Sequence, residues 1–201
     1  MSEAISPPTT KIEIISQAAV LCGRQSFSAL EDGGAFALDA DALFDTIVSA
    51  EFGSNRWRFC QHFQDMGTLT TLTPSFDGWL YYWELPADLL MLTRIYPMVD
   101  YQLFGDRIVT RTNQSLTAIY TRAVPVSKWP APFSFYVVCL IASALAMSVT
   151  NSVRMVAEIE NQKSSWESRA LFADAQSTVN RPIRSNPYVN IRYQYRTRSG
   201  C

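Results

Sequence analysis

The chain has 201 residues, of which 48% are hydrophobic and 17% charged, so it can bury a core in one domain or in one domain with a smaller insertion. Its formal net charge of -1 is the sum of two opposite parts, because residues 175–201 carry five arginines and no acidic residue while the remainder is acidic. The four cysteines lie far apart without CxxC or Cys/His spacing, which indicates buried thiols and argues against a disulfide framework or a zinc site.

Residue types suited to catalysis are few. The single histidine, His62, lies in "RFCQHF", where we predict a short helix and a partly buried histidine without a catalytic role. Phosphate-binding and hydrolase motifs are absent from the sequence, and the acidic residues Asp39, Asp41 and Asp45 are explained by the start of a helix. We therefore expect a protein that is not an enzyme and that has no cofactor or metal site.

The first part of the chain is predicted to be helical. Thr10 and Glu13 form a capping box, after which apolar residues recur at helical spacing as far as Gly23. Asp39 and Asp41 are predicted to lie in the first turn of a second helix. Its expected buried face consists of Leu43, Phe44, Ile47, Val48 and Phe52.

The period of the apolar pattern then changes from 3.6 to 2. The stretches "GTLTTLT" and "GWLYYWEL" predict paired strands, whereas "ADLLML" predicts a helical turn. "YQLF", "RIVTR" and "SLTAIYTRA" predict a three-stranded meander, so residues 67–124 form an antiparallel β-rich insertion. This insertion has more aromatic surface than a small core needs, which gives as candidates for a subunit or tail interface Trp79, Tyr81, Trp83, Tyr101 and Phe104. The alternative for each of these rings is a place in the core of the β-region itself.

Helical spacing returns near Phe133. The apolar run from Phe133 to Val149 is close to the lower length limit of a membrane span, but its serines and alanines favour a central buried helix, and we expect no membrane partner. A second long helix follows, and its 3-4 spacing is interrupted by Lys163. The predicted fold is α+β: an antiparallel four-helix bundle (residues 10–66 and 129–178), the β-insertion, and an extended C-terminal arm (residues 179–201).

The arm combines arginines with aromatic side chains. Arginines interleaved with tyrosines are typical of proteins that track a nucleic-acid backbone, and the same residues are enriched in protein interfaces. The sequence chemistry leaves both interpretations open. The candidate binding residues of the arm are Arg181, Arg184, Tyr188, Ile191, Arg192, Tyr193, Tyr195, Arg196 and Arg198.

The order of these parts resembles a known family. The stretches "KIEIISQAAVLCG", "WRF", "WLYYWELPADLLML", "YQLFGDRIVT", "LTAIYTRAV", "WPAPFSFYVVCLIASALAMSV" and "SRALFADAQS" occur in that order over about residues 10–178. Together they resemble the head-to-tail adaptors (connectors) of tailed bacteriophages and gene transfer agents, a family that includes the tail tubular protein A of short-tailed phages. The most specific piece is an aromatic strand ending in Leu-Pro-Ala-Asp at 85–88, with Trp129 and Phe133 preceding an alanine-rich helix.

The resemblance implies a structural protein of the virion neck, assembled in the host cytoplasm. Such adaptors form a homo-oligomeric ring, commonly of twelve subunits, that docks under the portal protein and continues the DNA channel without sequence-specific binding of the genome. The β-insertion would face the next tail or neck component, and the C-terminal arm would bind the portal. The alternation in "YVNIRYQYR" suits a strand added to a portal sheet edge. The alternative function is a small nucleic-acid-binding module that uses the Arg/Tyr-rich arm.

Overall fold

The computed structural model describes residues 7–150 and 152–177, and the predicted arm lies outside them. This part of the chain is an α+β protein with helices and two antiparallel sheets. The α-helices are α1 (Lys11–Leu21), α2 (Gly34–Ser54), α3 (Ala131–Val149) and α4 (Val153–Gln176). The strands are β1 (Gln61–Asp65), β2 (Thr70–Phe76), β3 (Trp79–Glu84), β4 (Leu89–Tyr96), β5 (Tyr101–Phe104), β6 (Arg107–Thr110) and β7 (Thr117–Arg122). Short 3-10 helices occur at Leu30–Gly33, Arg58–Cys60 and Val126–Lys128.

The capping box predicted for α1 is confirmed. The Glu13 amide donates to Thr10 Oγ1 at 3.2 Å, and the Thr10 amide donates to Glu13 Oε2 at 3.2 Å. These bonds satisfy two backbone donors that the first turn of a helix leaves without intrahelical partners. The start of the fold is therefore determined by local sequence.

Helix α2 begins earlier than predicted. It starts at Gly34, whose φ of 60° suits glycine, so Asp39 and Asp41 lie beyond the first turn and the helix dipole does not explain them. Asp41 instead forms an ion pair of 2.9 Å with Lys11 on α1. The predicted buried residue Leu43 is 40% exposed. The face that packs on the core repeats every four residues and consists of Phe36, Ala40, Phe44, Val48 and Phe52.

Helix α3 lies at the centre of the helical region and contacts α1, α2 and α4. Within the described residues it has the length and hydropathy of a membrane-spanning helix, but 56% of its most apolar window is buried inside the protein. The core helix of a globular protein has the same properties, so the hydropathy of α3 is weak evidence for a membrane span. Its first turn carries Phe133, whose ring meets those of Trp57 and Trp129 at 4.9 and 5.1 Å.

The interruption of the apolar pattern on α4 has a structural cause. Lys163 forms an ion pair of 2.5 Å with Glu160, and the Ser143 hydroxyl of α3 donates to the same carboxylate. A polar contact thus replaces an apolar one in the α3–α4 interface. Beside it, the rings of Phe135 and Trp166 stack with their centroids 4.9 Å apart.

Three predictions for the β-region are wrong in detail. Residues 61–65 form strand β1 and pair with β7, so His62 lies on a strand and the β-region begins at Gln61. "ADLLML" contributes to strand β4, which also pairs with β7. Strands β6 and β7 belong to different sheets, so the expected three-stranded meander does not form. Register shifts in β4 after Leu89 and after Leu92 break its alternation and hide the strand from pattern analysis.

The two sheets share a second core. The first sheet has the order β1-β7-β4 and the second β2-β3-β6-β5, with β2 and β3 paired as predicted through a turn at Asp77 and Gly78. Register pairs of the first sheet place Tyr120 beside Leu92 and Ala118 beside Ile95. These side chains form one apolar cluster with Trp83 and Ile108 of the second sheet, and Met66 and Leu116 belong to the same cluster.

A buried carboxylate joins the helices to the chain that leads into β1. Glu51 of α2 is 9% exposed; its Oε1 accepts hydrogen bonds from Asn55 Nδ2 at 2.7 Å and from the Trp57 indole at 3.3 Å. Its Oε2 accepts a bond from the Tyr136 hydroxyl of α3 at 3.1 Å. Both carboxylate oxygens are therefore acceptors, as burial of this polar group requires.

We expect the substitution Glu51→Gln to lower the free energy of unfolding by about 1–3 kcal/mol. The side-chain amide would place an N–H donor where the carboxylate has an acceptor oxygen, so one of the present hydrogen bonds could not form as it does now. Urea denaturation followed by circular dichroism would measure the loss. The matched control is Glu31→Gln at an exposed site, where we expect a change below about 0.5 kcal/mol. A Glu51→Gln variant as stable as the parent would show that the network does not hold the helices together.

Candidate interaction surfaces

In the part of the chain that the structure describes, the cysteine thiols are buried. The thiols of Cys22, Cys60 and Cys139 are free, and burial raises the pKa of Cys60 to about 12 and that of Cys139 to about 11. A thiol with such a pKa is protonated at neutral pH and is a poor nucleophile. His62 meets the ring of Tyr120 edge-on, with the ring centroids 5.6 Å apart. Within residues 7–150 and 152–177, no group of three or more His, Cys, Asp or Glu side chains is placed to hold a metal ion.

The residues that carry the family resemblance lie mainly in structural positions. Trp57 and Phe133 are about 1% exposed, and both Trp57 and Trp129 pack against Phe133. Asp88 of the Leu-Pro-Ala-Asp piece accepts a hydrogen bond of 2.8 Å from the Tyr120 hydroxyl, and that bond is the main cause that lowers the pKa of Asp88. This contact fixes the start of β4 against β7. These motif residues therefore stabilise the fold, whereas Tyr101 and Phe104 of the stretch "YQLFGDRIVT" are exposed.

The predicted interface residues divide into a buried and an exposed group. Trp83 is 1% exposed and Trp79 is 8% exposed, and Tyr81 packs against the second core, so the prediction that these three form an interface is corrected. Strand β3 lies between β2 and β6, so neither of its edges is free, and one of its faces meets the core. Tyr101 and Phe104, by contrast, lie on edge strand β5 and are 39% and 42% exposed. The predicted arm residues 181–198 lie outside the described part of the chain.

One exposed apolar surface lies on β5, an edge strand of the second sheet. We call it the β5 edge and define it by Tyr101, Leu103 and Phe104 of β5 together with Phe76, which lies on β2, the other edge strand. All four residues of β5 are exposed, and the rings of Phe76 and Phe104 meet edge-on at 5.3 Å. Unpaired backbone groups and apolar side chains on an edge strand are typical of surfaces that pair with another chain.

A second apolar surface lies on the first sheet. We call it the outer face and define it by Phe63, Arg94, Tyr96 and Ile119. The strand register places Phe63 of β1 and Arg94 of β4 on either side of Ile119 of β7. Phe63 is 74% exposed and Tyr96 is 70% exposed. The sequence does not predict this surface, because the stretch "RWRFCQHF" (residues 56–63) favours a short helix there, although the polar neighbours of Phe63 in "QHFQD" are compatible with a strand.

Two grooves follow the outer face. The first, of about 570 Å³, runs along the end of β4 to β5 and is lined by Arg94, Tyr96, Met98, Tyr101 and Ile119. Met98 is 98% exposed at its rim. The second, of about 640 Å³, lies between the end of α4 and the same sheet and is lined by Phe59, Gln61, Arg94, Asp174 and Ser177. Since Arg94 lines both, the grooves adjoin.

Comparison with known proteins adds no family assignment. The sequence matches no protein-family model, and it matches no curated protein.

The division into core and surface aromatics predicts a contrast in stability. We expect Trp83→Ala to lower the free energy of unfolding by about 3–5 kcal/mol, because it leaves a large cavity in the second core. Phe104→Ala, at the exposed β5 edge, should change it by less than about 1 kcal/mol. Urea denaturation of the two variants provides the measurement, with Trp83→Phe as a milder substitution in case the alanine variant does not fold. Equal losses at the two positions would contradict the assignment.

We also expect the protein to lose stability at alkaline pH. Burial raises the pKa of Cys60, Cys139, Tyr120 and Tyr136 in the folded protein. In the unfolded chain the thiols release protons near pH 9 and the phenols near pH 10. As the pH rises above these values, the unfolded chain releases these protons more readily than the folded protein, and the free energy of unfolding falls. Well below about pH 9 the groups are protonated in both states, so they do not make stability depend on pH.

Urea denaturation with a reductant at about pH 8 and about pH 10.5 measures this loss, and we expect about 1 kcal/mol or more for each buried thiol. The Cys139→Ala variant is the matched control, because it should show a smaller difference between the two pH values. A free energy of unfolding that is the same at both values in the parent protein would contradict the burial of these groups.

Proposed function

We propose that this protein is a structural component of a virus particle, a ring-forming head-to-tail adaptor that docks under the portal protein, links it to the tail and continues the DNA channel. The observation that carries the proposal is the presence of two apolar surfaces, the β5 edge and the outer face, on a chain whose two cores are already complete. A ring subunit of this kind needs exposed surfaces beyond its own core, both for its neighbours in the ring and for the next component. The order of sequence motifs supports the same proposal.

The helical part suits the body of such a ring. We propose that α1 to α4 act as one four-helix bundle, with α3 in the middle. The contacts of α3 with all three other helices support this arrangement. The insertion of the two sheets between α2 and α3 would place the β-region at one end of the bundle, where the next tail or neck component would bind it.

The charge distribution supports separate roles for the body and the arm. The arm contains five arginines and no acidic residue, and the rest of the chain has twelve basic and eighteen acidic residues. A channel wall that is acidic or neutral lets DNA slide, whereas each cation in contact with phosphate adds a salt-dependent attraction that holds it. In the proposal the arm therefore binds the portal protein and the body surrounds the genome.

The alternation of arginine and tyrosine in the arm favours one second candidate, a module that binds nucleic acid through the arm. Aromatic rings stack on bases while arginines neutralise phosphates, and such binding weakens as salt rises. The acidic body opposes this function because it repels the same phosphates.

The two candidate functions predict different binding partners for the arm, and a pull-down experiment distinguishes them. We expect the tagged full-length chain, purified from cells that produce the whole particle, to retain a portal protein after nuclease treatment, whereas a version that ends at Val179 does not. Mass spectrometry would identify the partner, and native mass measurement of the purified chain would report its ring size.

The matched control is the variant with Arg192→Lys and Arg196→Lys, which keeps the charge of the arm and loses the planar guanidinium groups. Reduced recovery of the portal protein by this variant would support directed hydrogen bonds in a protein interface. Recovery of nucleic acid alone, lost after nuclease treatment, would overturn the adaptor proposal in favour of the second candidate.

A further inference from the structure

The described chain ends beside the two adjoining grooves. Helix α4 ends at Gln176, and Ser177, the next residue, lines the groove that also contains Gln61 and Arg94. The end of α4 is held there, because the Arg58 amide donates to the Asp174 carboxylate at 2.9 Å and the Arg58 guanidinium donates to the carbonyl of Ala175 at 3.0 Å. The remaining residues, 178–201, therefore leave the fold at a fixed point next to the outer face.

The length of this segment is sufficient to cover the outer face. From Ser177 to Tyr188 an extended chain spans up to about 36 Å at roughly 3.3 Å per residue. Strand β4, the longest strand of the first sheet, has eight residues and so spans about 26 Å at the same rise. Residues 188–196 can thus reach any part of the first groove from the end of α4.

The pattern of the segment matches the surface it can reach. In an extended conformation, Val189, Ile191, Tyr193 and Tyr195 would share one side, and Asn190, Arg192, Gln194 and Arg196 the other. One side is therefore apolar and the other polar, as in a strand that covers a half-buried surface. The outer face supplies the apolar counterpart in Phe63 and Tyr96, which are 74% and 70% exposed.

We propose that residues 188–196 of the same chain lie in the groove along β4 before any partner binds, with Val189, Ile191, Tyr193 and Tyr195 against the outer face. The polar side then faces solvent, so Arg192 and Arg196 point away from Arg94. The basic segment also lies on a body with a net negative charge, which favours the contact over longer distances. This inference concerns the free chain and does not depend on the proposed function; in the adaptor proposal the segment would leave the outer face when the arm binds the portal protein.

The test is a cross-linking experiment on the full-length chain. The substitution Cys201→Ser removes the thiol at the end of the segment. Two cysteines are then introduced: Asn190→Cys on the polar side of the segment and Met98→Cys at the rim of the groove. The matched control pairs Asn190→Cys with Leu38→Cys, an exposed position (63%) on α2. A short bismaleimide joins the two thiols, and the native cysteines react slowly because Cys60 and Cys139 are buried with raised pKa values.

We expect an intramolecular cross-link at Met98 to form at least about tenfold faster than at Leu38, because docking raises the effective concentration of the two thiols. The rate should not depend on protein concentration, and Ile191→Asp should lower it to the rate of the control. Equal rates at Met98 and Leu38 would overturn the proposal. Cross-linked dimers that increase with concentration would overturn it in favour of a second copy as the occupant.

Discussion

The burial of Glu51 is the constraint on which the arrangement of helices and sheets depends. Its carboxylate lies in the last turns of α2, where the chain leaves the helical region, and it accepts bonds from Trp57 in the connection to β1 and from Tyr136 on α3. A carboxylate without these donors would be costly to bury, so the three elements hold their positions together. The aromatic cluster around Phe133 then packs on this fixed frame. One polar group inside an apolar core thus connects helix α2, helix α3 and the segment that leads to β1.

The sequence predicts those parts of the fold in which local chemistry and tertiary packing agree. The capping box at Thr10 depends only on neighbours three residues away, and the hairpin of β2 and β3 depends on a turn at Asp77 and Gly78. Strand β4 was predicted as a helical turn because its register shifts remove the alternation that marks a strand. Strand β1 was predicted as a helix because its structure depends on pairing with β7, whose residues are some 56 positions further along the chain. Long-range pairing of this kind leaves little local signal.

The candidate surfaces illustrate the same limit. Tyr101 and Phe104 were identified as exposed aromatic residues, but Trp79 and Trp83 have the same residue character and lie in the interior. What separates them is the place of each strand in its sheet, since β5 is at an edge and β3 is not. The outer face was not predicted, because recognising it requires the register of β1, β7 and β4. An aromatic pattern thus indicates that apolar surface exists, whereas sheet order decides which part of it is covered.

The separation of core and surface also limits what a family resemblance can show. Trp129, Phe133 and Asp88 are among its most specific residues, and each makes a structural contact, in the aromatic cluster or with the Tyr120 hydroxyl. They support the fold more directly than the function. Evidence for function must come from side chains that the fold does not require, such as Phe63 and Met98. Substitution of such exposed residues should change the stability of the fold little, so whatever binds them is the more direct guide to what the protein does.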